Sequence, residues 1–341
     1  MSPTRAQDEL PREFPLVGRK DELQRLFRIF GAGPTLRLLV GEGGVGKSRL
    51  ADTLSREAAR RDWRVLTARA YPVEQGVPYA VMAEALVPFL GGLEPATLTV
   101  LTRGREGDLR RLFPALDGEA TKDATGPDSE ELKTRLYWTL STALEGLAQR
   151  QPTLLVVDDV HWSDPSSLSL LHFLVRHIES DAFRVVATCT AEHRTRNSHL
   201  IEVERSLESL RLLERTQLSP LGLGEIEELL TGVFDVSGAA VKDFADRLFG
   251  WTRGNAYFVE QTLRSLVDEG RLFRSNGTWL GWEARDLALP STVRDAVTHR
   301  FGSLSRQAQD AAQHMAALGR PVRLEVLQEI LGLEASELAG V

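Results

Sequence analysis

The chain has 341 residues, a length for two or three domains with ample sequence for a sizeable core. Its 42% hydrophobic and 26% charged residues lie at the globular average, which excludes wholesale disorder and a fibrous architecture, and its net charge of −7 excludes a global pull toward nucleic acid. A single cysteine, Cys189, excludes a disulfide framework and implies a reducing compartment. The polar start lacks the apolar stretch of a signal peptide, and no apolar run approaches the ~18 residues of a membrane span. The expectation is a soluble, cytoplasmic protein with no membrane partner.

Residues 1–15, with three prolines and mixed charges, read as a flexible lead-in. Leu23, Leu26, Phe27 and Phe30 recur at helical spacing and predict a helix over Lys20–Phe30, stopped by Gly31, Gly33 and Pro34. Thr35–Val40 is almost wholly apolar, hence a buried strand. A helix over Gly46–Arg61 carries Leu50, Leu54 and Ala58 on one face, and Trp63–Ala70 reads as the next strand. This succession is a βαβ unit and implies a parallel sheet. From Gly91 to Glu130 the signal weakens into an insertion with one short helix near Asp108–Phe113. A long helix follows over Ser129–Gln149, striped by Leu132, Leu136, Leu140, Leu144 and Leu147. Strands at Thr153–Asp158 and Arg184–Thr188 then flank a helix over Pro165–His177. Beyond Pro220 the pattern is helical: 224–233, 238–249 and 255–269, the last ended by Gly270. Leu272–Leu280 encloses Asn276-Gly277, a hairpin signal. Helices are expected again at 291–301, 305–318, 323–331 and from Ser336.

Charge is uneven along the chain. Residues 1–70 carry 14 basic and 9 acidic groups, and the other 271 carry 27 and 39. Within the basic lobe, Gly41-Glu42-Gly43-Gly44-Val45-Gly46-Lys47-Ser48 fits G-x-x-x-x-G-K-[ST] between a predicted strand and a predicted helix, the context in which that pattern holds phosphates. The glycines let backbone N–H groups converge, and the helix N-terminus adds partial positive charge. Lys47 can reach β- and γ-phosphates, the Ser48 hydroxyl can ligate Mg²⁺, and Arg49 continues the loop into the helix. The metal also needs a carboxylate. Asp158 emerges at the end of the apolar run Leu154–Val157, where open parallel sheets bind ligands, and Asp159 beside it can orient or deprotonate an attacking water. The pair could alternatively cap a helix, although such caps rarely follow so apolar a strand.

Several segments together are more specific than this loop. Leu16-Val17-Gly18-Arg19-Lys20-Asp21-Glu22-Leu23 resembles the "vGRe-eL" box before the phosphate loop of AAA-type and STAND (signal-transduction) ATPases. Asp158 to Asp164 (DDVHWSD) resembles the extended Walker B of the origin-recognition-like AAA domain in large bacterial LuxR-type regulators. Gly254 to Glu260 (GNAYFVE) is similar to that family's "GNPfFveE" segment. Gln217 to Leu221 is similar to its "L-PL" strand, and Leu289–Arg294 with Arg300–Leu304 to the start of its winged helix. The resemblance spans about 15–335. It implies an α/β P-loop NTPase fold, a parallel sheet flanked by helices, followed by an α-helical domain and an incomplete winged-helix region. The expected boundaries are 1–15, 16–220, 221–288 and 289–341. The resemblance also implies ATP or ADP with Mg²⁺ as cofactors, with Val17, Gly18 and Arg19 against adenine and ribose. For Arg19 a solvated cation leading into a helix is the plainer alternative.

Two departures matter. The family's γ-phosphate-sensing arginine falls at Thr190, so that either Arg194 substitutes for it or Arg194 is a surface arginine. The family's proline after Gly254-Asn255 is Ala256. Both departures favour slow hydrolysis. His161 is either a relay from the nucleotide or a packed histidine; Cys189 reads as a core residue, and Phe273, Trp279 and Trp282 as local core around the hairpin. The function implied is a bacterial regulator's ATP/ADP conformational and oligomerisation switch, self-associating with ATP, whose effector and sensor domains lie outside this chain. An origin-recognition-like DNA-binding ATPase using the winged helix is the alternative, against which the acidic C-terminal half weighs. A small-molecule kinase is a third reading, disfavoured by the double aspartate and the long helical second half.

Overall fold

The computed structural model describes residues 10–31, 33–117, 130–282 and, beyond these, 298, 301–302 and 306–318. Five strands form one wholly parallel sheet: β1 (Leu36–Gly41), β2 (Arg64–Arg69), β3 (Thr153–Asp158), β4 (Phe183–Thr190) and β5 (Leu213–Gln217), in the order β2-β3-β4-β1-β5. The helices of this part are α1 (Lys20–Phe27), α2 (Lys47–Arg60), α3 (Ala80–Gly91), α4 (Pro95–Thr102), α5 (Glu106–Leu112), α6 (Glu130–Arg150), α7 (Pro165–His177), the single turn α8 (Ala191–Arg194) and α9 (Ser198–Ser209). A parallel sheet is covered on both faces, so its central strands are apolar at every position rather than alternately. β1 and β4 are buried throughout. Leu38, Val40, Leu155, Val157, Val185 and Ala187 point to the face covered by α3, α6 and α7, whereas Leu39, Leu154, Val156 and Val186 point to the face covered by α1 and α2. The apolar stripe Leu50, Leu54 and Ala58 of α2 is fully buried, as its spacing requires.

The described part of the insertion over Gly91–Glu130 holds α4 and α5, where one short helix near Asp108–Phe113 was expected. Pro95 at the first helical position starts α4, and Arg103 ends it in the left-handed region at φ 53°. The sequence pattern predicts neither α3 nor α9. α3 (AVMAEALVPFLG) is apolar on nearly every side, so it carries no period for a sequence reading to detect. No helix among the described residues is long and apolar enough to cross a membrane.

The chain divides into two compact units. One holds Pro15–Leu229 and Phe249–Tyr257 and contains the sheet. The other holds the described residues of Met1–Phe14, Leu230–Leu248 and Phe258–Val341. Helices α10 (Leu223–Phe234), α11 (Ala239–Thr252) and α12 (Ala256–Asp268) contribute residues to both by chain continuity. In the second unit Asn276 (φ 50°) and Gly277 (φ 83°) turn the hairpin β6 (Phe273–Ser275)–β7 (Thr278–Leu280), as the Asn-Gly pair predicts. Trp279 and Trp282 are buried against Phe234, and Trp282 also against Phe244, all edge-on, with the Trp282 indole N–H donating to Trp279 O at 2.8 Å. Phe273 departs from the expectation of local core. It lies on the outer side of its strand and is 47% exposed. The end of the lead-in is anchored, because Phe14 is buried beneath the Arg264 guanidinium, which donates to Pro11 O and Arg12 O. A helix over Arg306–Leu318 falls where 305–318 was expected. The other helices foreseen after residue 290, and with them the winged helix, lie outside the described residues apart from 298 and 301–302.

Candidate functional site

Parallel register brings the ends of β1, β2, β3 and β4 to one edge of the sheet: Gly41 is paired with Thr190, and Arg69 with Asp158. Gly41–Gly46 leaves that edge and enters α2, whose N-cap Gly46 (φ 103°) makes no side-chain cap. The first N–H groups of α2 are therefore free of a side-chain acceptor, which suits an anion. Gly44 (φ 83°) and Gly46 need the backbone freedom of glycine. A Cβ on Gly41 would stand 2.8 Å from Leu218 O.

The Val45 N–H turns back to Glu42 O at 3.3 Å, and the other carbonyls of the loop need donors from elsewhere. Every one of the six has one. The Lys47 ammonium donates to Gly41 O (3.0 Å) and Glu42 O (2.8 Å), Asn255 Nδ2 to Gly43 O (2.8 Å), the Tyr257 N–H to Gly44 O (2.9 Å), Arg19 Nη2 to Val45 O (3.2 Å) and the Leu50 N–H to Gly46 O (3.0 Å). Lys47 is buried, and burial lowers its pKa from the ordinary lysine value against the pull of Asp159, Glu192, Cys189 and Asp158. A desolvated ammonium resting on two carbonyls is readily drawn to a phosphate.

The acidic pair stands opposite. Ser48 Oγ donates to Asp158 Oδ1 at 2.9 Å; the Thr188 hydroxyl donates to the same oxygen in a shorter bond and in turn accepts the Asp159 N–H at 2.8 Å. Thr188 is completely buried. Asp159 sits in the left-handed region at φ 54°, a conformation aspartate tolerates better than most residues. Its carboxylate accepts from Arg69 Nη2 at 2.8 Å. Burial, then the neighbouring Asp158, raise the Asp159 pKa above the ordinary carboxylate value, while Arg69 and Lys47 pull it down. Ser48 Oγ and an Asp158 oxygen within hydrogen-bond distance are both hard oxygen donors, the kind Mg²⁺ takes. Among the described residues no group of three or more His, Cys, Asp or Glu could hold a metal by itself. Such a pair suits a metal that brings phosphate oxygens with it.

Other residues singled out in the sequence take defined places. Arg19 is 5% exposed, so it is no solvated cation; it donates to Ser219 O (2.6 Å) as well as Val45 O and pairs with Glu22. Val17 is buried, and Gly18 (φ 65°) lies so close to the Glu225 side chain that a Cβ would overlap it. Arg49, third residue of α2, is half-buried. Arg194 donates to both oxygens of the buried Glu204, which Arg215 also contacts at 2.7 Å; this ion pair raises the Arg194 pKa. The structure thus joins Arg194 to α9 and β5. Cys189 is fully buried and its thiol is pushed up to about 12, chiefly by burial, in keeping with a core residue. His161 is buried; its Nδ1 accepts the Thr190 N–H (3.2 Å), and its ring stacks on His193. Burial first, then His193 and Lys47, push it down to about 3, so the ring is neutral.

Thr188, Arg69 and Asn255 were not assigned site roles from the sequence. Arg69 ends β2 and Thr188 lies two residues before the end of β4, the strands on either side of β3, a signal that appears only once strand order is known. Asn255 lies 212 positions beyond Gly43, whose carbonyl it holds.

The family model for the AAA ATPase domain matches residues 15–187. Among curated proteins, an uncharacterized protein of Rhizobium meliloti (strain 1021) is 26% identical over 194 residues, covering 51% of this chain and 18% of its own length. The ORC2 protein of Aeropyrum pernix, solved as ADPNP–ADP complexes, is 17% identical, with a TM-score of 0.52 over 96% of this chain and 82% of that one. A Signal Transduction ATPase with Numerous Domains (STAND) protein with a tetratricopeptide repeat sensor, from Pyrococcus horikoshii, is 15% identical with a TM-score of 0.45, over 97% of this chain and 39% of that one. The chain therefore spans under a fifth of the curated relative and about two fifths of the STAND protein.

Proposed function

The chain belongs to the AAA ATPase domain family, and from that premise we propose that it binds ATP with Mg²⁺, hydrolyses it slowly and acts as the ATP/ADP switch of a larger regulator. The observation that carries the proposal is the pairing of a fully donor-held phosphate loop with the Ser48–Asp158–Thr188–Asp159 chain on the same sheet edge. Backbone N–H groups of the loop and the N-terminus of α2 hold the β- and γ-phosphates, and Lys47 leaves the Gly41 and Glu42 carbonyls to meet them. Ser48 and Asp158 would hold Mg²⁺, which supplies charge neutralisation between the phosphates. Asp159 orients a water toward the γ-phosphorus and takes its proton as the bond to the bridging oxygen breaks, leaving ADP and phosphate. Arg69 holds that carboxylate in place but also occupies it, and Thr190 stands where the resembled family carries an arginine. Both features support a slow hydrolytic step. A long-lived ATP state suits a switch that assembles with ATP and disassembles with ADP, its effector and sensor supplied by sequence outside this chain.

The test uses the purified parent chain, Lys47→Ala and Asp159→Ala, with fluorescent-nucleotide binding and phosphate release as readouts. Lys47→Ala is expected to abolish binding. Asp159→Ala is expected to bind like the parent and release phosphate at least roughly 100-fold more slowly, the usual scale for losing a general base. Parent-like binding and turnover in both variants would refute the assignment. Mass by light scattering with ADP and with a nonhydrolysable ATP analogue tests the switch.

A further inference from the structure

The six carbonyls of the phosphate loop do not have equivalent donors. The two held by Lys47 lose the ammonium when it moves to phosphate, Glu42 O keeping only the Val45 N–H at 3.3 Å, and Gly46 O belongs to the ordinary ladder of α2. Gly43 and Gly44 lie at the tip of the loop and carry no side chains, so the peptide between them can rotate at little cost and turn its N–H away from a ligand. What opposes that rotation is one segment at the start of α12. Asn255 Nδ2 donates to Gly43 O at 2.8 Å and the Tyr257 N–H donates to Gly44 O at 2.9 Å. Asn255 is only 6% exposed. The contact is close: a Cβ on Gly44 would stand 2.6 Å from Asn255 Oδ1 and 3.1 Å from the Tyr257 Cβ. The segment is itself fixed from behind, because Gly254 (φ 75°) packs against Leu221, whose N–H donates to Gly254 O at 2.8 Å, and a Cβ on Gly254 would overlap Leu221 O.

We infer that Asn255, with the Tyr257 amide, is a positioning element for nucleotide: Asn255 holds the Gly43–Gly44 peptide with its N–H toward the phosphates, the Tyr257 amide steadies the next peptide through Gly44 O, and together they couple nucleotide occupancy to the docking of the Asn255–Tyr257 segment. This rests on the nucleotide-binding reading above and adds its regulation. Asn255 acts through the loop and needs no contact with ligand. Coupling is reciprocal, so whatever affinity the docked segment adds to nucleotide, nucleotide adds to the docking of the segment.

The experiment compares the parent, Lys47→Ala, Asn255→Ala and the near-isosteric Asn255→Leu, using fluorescent ADP and ATP titrations, and follows hydrogen exchange of the Tyr257 amide in the parent with and without saturating ADP. A donor role predicts that both Asn255 variants bind about tenfold more weakly, the scale of one hydrogen bond, and that ADP slows Tyr257 exchange in the parent. A packing role predicts that Asn255→Leu binds like the parent, which would overturn the inference. So would parent-like affinity in both variants, or Tyr257 exchange indifferent to ADP, and the latter needs no variant to fold. If the parent binds no nucleotide, the functional reading itself fails; if the parent binds and Lys47→Ala does not, that reading stands whatever Asn255 does.

Discussion

Replacing Thr188 by valine removes one oxygen and almost nothing else. Thr188 lies on β4, completely buried, and valine matches its shape, so no cavity term arises. Two hydrogen bonds are lost. The first is the hydroxyl donated to the Asp158 carboxylate, on the order of 1.5–3 kcal/mol for a bond to a charged group. The second is the acceptor for the Asp159 N–H, which leaves a part-buried donor without its partner at a cost of about 1–3 kcal/mol. Asp158 keeps its bond from Ser48, so the sum belongs near about 3–5 kcal/mol. For a unit of this size each kcal/mol lowers Tm by roughly 2–4 °C, so Thr188→Val should melt roughly 6–20 °C below the parent. The assay is thermal unfolding followed by circular dichroism, without nucleotide and with chelator present. Thr188→Ser keeps the hydroxyl and loses one methyl, about 1 kcal/mol, so it should fall only a few degrees. Valine melting with or above serine would refute the reasoning, since the hydroxyl would then contribute less than the methyl.

Two further outcomes follow from the neighbourhood of the site. The His161 pKa is pushed down to about 3 in the folded chain, below the ordinary value of 6.5, so below pH 6.5 the unfolded chain binds a proton that the folded one refuses. Its contribution to stability is therefore complete above pH 6.5 and is lost as pH falls toward 3, by up to about 1.4 kcal/mol per pH unit; His161→Asn should flatten the fall in Tm between pH 6.5 and 4.5 relative to the parent, and an unchanged slope would count against a buried neutral ring. Arg194→Met should lower stability by about 1.5–3 kcal/mol by taking a charged donor from the buried Glu204, with nucleotide affinity unchanged within twofold; a tenfold weaker affinity with unchanged melting would instead put Arg194 at the phosphates.

Local signals carried much of the fold. The apolar runs at Leu36–Val40 and Leu154–Val157 could only be buried strands, the stripe Leu50–Leu54–Ala58 could only face a core, and Asn276-Gly277 could only turn tightly. Helices α3 and α4 escaped for one physical reason: a short, apolar helix has no polar face, and periodicity is a contrast between faces. At the candidate site, Gly41–Ser48 and Asp158-Asp159 were legible because each is a contiguous stretch with its own chemistry. Arg69, Thr188 and Asn255 were not, because each draws its role from a partner 90, 30 and 212 positions away.

By itself the order of residues determined a glycine-rich loop of the G-x-x-x-x-G-K-[ST] pattern between strand and helix, a strand leading into two carboxylates and a basic first lobe. These are properties of short segments: which backbone dihedrals glycine allows, which faces are apolar, where charge falls. Only the tertiary structure decided which donors hold the loop open and which groups hold the carboxylates. Buried hydrogen bonds are satisfied by whatever the fold brings within 3 Å, and the strand order β2-β3-β4-β1-β5 decides that Arg69 and Thr188 flank Asp158 and Asp159. The same physics redirected Arg19 and Arg194. In the sequence each could meet a nucleotide or face solvent; in the fold the buried Arg19 donates to Val45 O and Ser219 O, and the part-exposed Arg194 donates to the buried Glu204.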